Sequence, residues 1–92
     1  MIAYKDCLSD RHLAPLGELL YRQKFPSIAK AIEYAIVQLI AEHVDCGHID
    51  VNEPHNAQTV IKKNLYLNEG EFVRTAVRNL LRKERLWAKK SD

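Results

Sequence analysis

Glycine, proline and cysteine are all scarce in this chain, which has three, three and two of them among 92 residues. So little glycine leaves no glycine-rich loop to cradle a phosphate. Because few residues break helices and 47% are hydrophobic, most of the chain is expected to fold rather than stay disordered. Cys7 and Cys46 are too few for a disulfide framework and read as small, partly buried thiols. Serine is as rare as glycine, with Ser9, Ser27 and Ser91 the whole supply. Nucleophilic catalysis needs a nucleophile, a base and an orienting group in one pocket, so the chain does not read as an enzyme. No apolar run approaches membrane-spanning length, and the opening seven residues lack the basic-then-apolar layout of a signal peptide. These absences point to one small cytoplasmic domain.

What is present is an internal echo. Moved by a constant 41 positions, residues 27–40 fall on residues 68–81. Ile32 then meets Val73, Ala35 meets Ala76, Ile36 meets Val77, Leu39 meets Leu80 and Ile40 meets Leu81. Ser27 and Asn68, both good N-caps, open the two copies. Upstream, Leu16, Leu19 and Leu20 fall on Ala57, Val60 and Ile61 under the same shift. Any two amphipathic helices can be aligned apolar on apolar, so the weight lies in the recurrence of caps and helices in one order.

Each half reads as an extended segment followed by two helices. Ile2, Tyr4 and Leu8 suggest a short strand, and Ser9 or Asp10 caps a helix carrying Leu13, Leu16, Leu19 and Leu20. Phe25-Pro26-Ser27 breaks it, and the next helix runs from Ser27 to a stop at Cys46-Gly47. His48-Ile49-Asp50-Val51-Asn52 alternates like a half-buried strand, and Asn52 caps a helix with Pro54 near its start. Asn68-x-x-Glu71 has the shape of a capping box, opening a last helix expected to reach Trp87. The two strands do not obey the shift cleanly, so an insertion or deletion is expected between strand and helix. The units are 1–46 and 47–88, with a tail at 89–92.

Charge is divided between the halves. Residues 1–53 carry five Lys or Arg against eight Asp or Glu, and residues 54–92 carry nine against four. A basic C-terminal half suits a polyanion, most plausibly nucleic acid, although a solvated helix face gives the same count.

The stretch Glu71-Phe72-Val73-Arg74-x-Ala76-Val77-Arg78, preceded by Ile49/Val51 and a helix between, resembles the second helix of the ribbon-helix-helix family of DNA-binding proteins. The likeness covers residues 48–86 and, through the echo, 2–44. It implies a mainly α fold with a short two-stranded antiparallel ribbon, in which two protomer-like units form an intramolecular pseudo-dimer or the chain forms a homodimer. The implied function is sequence-specific binding of double-stranded DNA by a small transcriptional regulator, an antitoxin-like repressor or a plasmid or phage DNA-processing accessory. Ribbon strands of this kind read the major groove. The resemblance puts base reading on Ala3, Lys5 and Cys7 in one strand and His48, Asp50 and Asn52 in the other. It assigns phosphate contacts to Ser27, Ile28, Lys30, Asn68 and Glu69 at the starts of the second helices. Arg74, Arg78 and Arg82 make a basic stripe, continued by Arg85 and Lys89, whose local partners are expected to be Glu71 and Glu84.

No cofactor or metal is expected, because the spacing of Cys7, His12, His43, Cys46 and His48 matches no common zinc pattern. Trp87 reads as packing over the end of the bundle, or else as the anchor for a protein partner such as a toxin or a DNA-processing protein. The acidic residues Asp50, Glu69 and Glu71 support an alternative function: a protein-interaction module that keeps the fold without binding DNA.

Overall fold

A computed structural model describes residues 4–87. The described chain is all helical: a 3-10 turn at Tyr4–Cys7, then α1 at Asp10–Tyr21, α2 at Ile28–Asp45, α3 at Ala57–Lys62 and α4 at Glu69–Lys83. The expected ribbon is not there, since no residue among those described is in a strand. Tyr4 and Lys5 belong to the 3-10 turn, and Ile2 and Ala3 lie outside the described residues. Residues 46–56 turn without pairing. The halves therefore meet through helices: α2 against α4 is the main contact, α1 packs on both of them, and α3 packs on α4.

Local chemistry explains the helix starts. Ser27 Oγ accepts from the Lys30 amide at 3.2 Å, and Asn68 Oδ1 accepts from the Glu71 amide at 2.8 Å. Each such cap is worth about 1 kcal/mol. At α1 the Ser9 amide donates to His12 Nδ1 at 3.4 Å, and the His12 amide donates back to the Ser9 carbonyl at 2.9 Å. The same reciprocal box recurs 41 residues on. There the Asp50 amide donates to Glu53 Oε1 at 2.7 Å, and the Glu53 amide donates to the Asp50 carbonyl at 3.0 Å.

The second box opens no helix, because Pro54 follows it and drives Glu53 away from the α region. Helix resumes only at Ala57, capped by Asn56 Oδ1 accepting from the Thr59 amide at 3.0 Å. Thus α3 has 6 residues where α1 has 12, and its cap is Asn56 rather than the expected Asn52.

All four helices end alike. Gln23, Gly47, Asn64 and Arg85 take positive φ of 62°, 82°, 60° and 61° just beyond them. In each case the following amide reaches back to the helix: Lys24 to Leu19, His48 to His43, Leu65 to Val60 and Leu86 to Leu81, at 2.8–3.2 Å. These are Schellman endings, which satisfy carbonyls that would otherwise lack donors. The last one ends α4 at Lys83, short of the expected Trp87. Charge distinguishes the two long helices: α4 begins with Glu69 and Glu71 and ends with Arg82 and Lys83, whereas α2 has no acid in its first turn.

The shift of 41 holds in the core. Buried Leu8 corresponds to Ile49, Leu16 to Ala57 and Leu19 to Val60. In α2 the buried set is Ala31, Ile32, Ala35, Ile36, Leu39 and Ile40, and in α4 it is Phe72, Val73, Ala76, Val77, Leu80 and Leu81. Every one of those six positions corresponds. The Leu8–Ile49 match also removes the expected insertion: register runs unbroken from residue 8 to the second helix.

Candidate functional site

The basic stripe of α4 is the most concentrated charged feature. Arg74, Arg78 and Arg82 recur every four residues and so run down one side of the helix. The first turn of α1 adds Arg11, whose guanidinium lies 4.6 Å over the Trp87 ring. Trp87 is itself buried, with its ring centroid 5.1 Å from that of His12. Trp87 therefore closes the α1–α4 face, as packing over the bundle end requires.

His12 registers the field of this cluster. Its protonation is depressed first by burial and then by the positive charges of Arg78, Arg74 and Arg11. His12 Nδ1 lies 3.0 Å from Ser9 Oγ, and its Nε2 is buried without a partner among the described residues. A neutral imidazole tolerates that position and an imidazolium does not.

The arginines differ in how they are held. Arg74 donates to the Cys7 carbonyl at 3.3 Å and pairs with Glu71 at 3.5 Å, the local pairing expected from the spacing. Arg78 donates from Nη2 to Thr75 Oγ1 at 3.2 Å, and its buried Nε has no partner among the described residues. Arg82 is exposed. Glu84, expected to serve this stripe, pairs instead with Lys24 at 3.2 Å. Arg85 is taken up by the helix ending, and Lys89 lies outside the described residues.

The residues expected to read bases are not brought together. Ala3 lies outside the described residues, and Lys5 sits in the 3-10 turn. Cys7 is half-buried and offers its carbonyl to Arg74. His48 faces His43, with the two Nδ1 atoms 3.0 Å apart. Asp50 Oδ1 accepts from the Asn52 amide at 2.9 Å, tying both into the turn before α3. A pleated reading face needs neighbours that pair their backbones, and these residues pair within their own turns instead.

The expected phosphate contacts fare differently from one another. Ser27 and Asn68 are used as caps, and half-buried Ile28 packs against the core. Lys30 pairs with Glu33 at 3.6 Å, and Glu69 accepts from Gln58 at 3.4 Å. Arg11 and His12 were missed because the sequence assigned α1 only a packing role. The available signal was Ser9-x-x-His12, a capping box with an unusual fourth member.

A second polar cluster joins α2 to the α3–α4 connection. His43 Nε2 lies 2.7 Å from Tyr66 Oη, and the Tyr66 ring meets Phe72 edge-on at 5.3 Å. Burial, then the neighbouring His48, lowers the protonation of His43, while Glu42 opposes them. Burial and the charges of Glu42 and Glu71 raise the Tyr66 phenol. Among the described residues no three histidine, cysteine or carboxylate side chains gather as a metal site, and Cys7 and Cys46 are not joined. No helix among the described residues is long and apolar enough to cross a membrane.

Comparison with protein families, with curated proteins and with solved structures finds no match for this chain.

Proposed function

We propose that this protein binds double-stranded DNA through the arginine face of α4 and the start of α1, acting as a small non-enzymatic regulator or DNA-processing accessory. The supporting observation is the gathering of positive charge at one end of α1 and α4: Arg11 lies 4.6 Å over the Trp87 ring that packs on His12, and Arg78 and Arg74 are near enough to join it in disfavouring a proton on that histidine. Guanidinium groups make bidentate hydrogen bonds with phosphate oxygens, and clustered positive charge steers the approach of a polyanion. Phosphate contact would supply affinity and orientation, with sequence preference coming from DNA shape or from residues beside the stripe. A cytoplasmic location suits the two free thiols.

The test is fluorescence anisotropy with a labelled duplex over a salt series. Three or four phosphate contacts should give a log–log salt slope of about −3. Arg82→Glu and Arg11→Glu should each weaken binding at low salt, with helix content unchanged by circular dichroism. No duplex binding at low salt would overturn the reading. The protein-interaction alternative is favoured by a separate observation, the exposed Tyr34 and Val37 on the outer side of α2.

A further inference from the structure

The corner between the start of α1 and the middle of α4 holds more hydrogen-bond donors than acceptors. His12 is 7% exposed, and its Nε2 is buried with no partner among the described residues. The Ser9 amide settles what that nitrogen carries. It donates to Nδ1 at 3.4 Å, so the single ring hydrogen of the neutral imidazole sits on Nε2. Arg78 supplies a second case, since its Nε–H is also buried and without a partner among the described residues. Of the arginine charges that act on His12, that of Arg78 acts most strongly, which sets the two donors in one neighbourhood. The acceptors nearby are already engaged. The Cys7 carbonyl and the Glu71 carboxylate take up Arg74, at 3.3 Å and 3.5 Å, and Thr75 Oγ1 takes up Arg78 Nη2 at 3.2 Å.

We propose that this corner is a seat for one phosphate group, whose oxygens accept from His12 Nε2–H and Arg78 Nε–H. A buried donor without an acceptor is costly, and native interiors rarely leave two together. Charge favours phosphate over water as the occupant. Water accepts the same hydrogens but leaves the Arg78 guanidinium opposed only by the neutral Thr75 hydroxyl among the described residues. Phosphate brings the acceptors and the opposing charge together, in surroundings where burial strengthens both. Entry has a route, because the Trp87 ring that packs on His12 lies beyond the end of α4 and the left-handed Arg85. That ring can shift without unwinding the helix. The seat lies within the arginine face proposed for DNA, and naming a backbone phosphate as its occupant rests on that reading. The face then attracts the strand, and His12 and Arg78 fix where one phosphate docks.

Inorganic phosphate, added to the full chain against chloride at equal ionic strength, is the first probe. Phosphate should saturably shift the Arg78 Nε–H resonance in heteronuclear NMR spectra and change the fluorescence of Trp87, the single tryptophan. Chloride should do neither. Arg78→Lys keeps the charge but loses Nε–H, and should weaken phosphate binding about tenfold with helix content unchanged. His12→Phe removes the other donor and should weaken it likewise. A wild-type response that is absent, or equal for chloride, overturns the proposal. So does saturable binding untouched by both substitutions. A labelled duplex separates the seat from the DNA reading. Duplex binding that leaves Arg78 Nε–H unmoved removes the seat and keeps that reading. Phosphate binding without duplex binding keeps the seat, for a free phosphate, and removes the reading.

Discussion

Helices α2 and α4 correspond at every buried position and differ at almost every exposed one. Under the shift of 41, Tyr34, Val37, Ala41 and Val44 on the outside of α2 become Thr75, Arg78, Arg82 and Arg85. Even the salt bridge in the first turn is reversed: Lys30–Glu33 at 3.6 Å becomes Glu71–Arg74 at 3.5 Å. An interior tolerates little change in shape, because each side chain is packed against its neighbours, whereas an exterior answers only to solvent and to partners. Folding fixes the matched interiors, and the exteriors are left free to differ.

The strongest way to break the correspondence inside is at its least equal pair, Ala31 and Phe72, both fully buried. Phe72→Ala should cost about 3–5 kcal/mol, read from urea unfolding, because it empties the larger site and removes the edge contact with Tyr66. A loss near 1 kcal/mol would mean that the two sites are not the complementary halves of one core.

Acid should act next. His12 and His43 both have lowered pKa values, so the unfolded chain takes up protons before the folded one does. Their contribution to stability is full above the ordinary imidazole value of about 6.5 and is lost as pH falls through the lowered folded values. Urea midpoints measured from pH 8 to pH 5 should fall, and the fall should shrink in His12→Gln/His43→Gln. Midpoints that stay level or rise on acidification contradict the neutral placement of buried His12 and half-buried His43.

The helix endings give a finer comparison. Gln23 and Asn64 occupy matching left-handed positions, but asparagine tolerates that conformation better than glutamine. Gln23→Gly should stabilise the protein by about 1 kcal/mol, and Asn64→Gly by less, as thermal unfolding would show. Equal gains would remove the distinction. The smallest effect on free energy is expected from Pro54→Ala, which frees the Asp50–Glu53 box to start a helix as Ser9–His12 does. Circular dichroism should show about one extra turn. Unchanged helicity would mean that Pro54 is not what shortens α3.

Much of this interior was legible from the sequence because helical periodicity and capping act over a few residues. The apolar spacing in 28–44 and 73–81, together with Ser27 and Asn68, gave the two long helices and their matched cores. The ribbon was a misreading of a brief alternation. In His48-Ile49-Asp50-Val51-Asn52 only Ile49 is buried, and Val51 is 69% exposed. Five alternating residues do not make a strand when the backbone has closer partners, and here Gly47, Asp50 and Glu53 take up those bonds in turns. The arginine stripe was visible as a pattern. Its association with Arg11, His12 and Trp87 depended on how α1 crosses α4, which no local spacing encodes.

The reversed charge order has a consequence for the sequence of events in folding. With Glu69 and Glu71 at its start and Arg82 and Lys83 at its end, α4 is favoured by its own dipole before it touches anything. With Lys30 near its start and Asp45 at its end, α2 opposes its dipole and depends on company. The ribosome therefore delivers the dependent helix first and the self-sufficient one afterwards. The first half of the chain must wait for the second before it can settle.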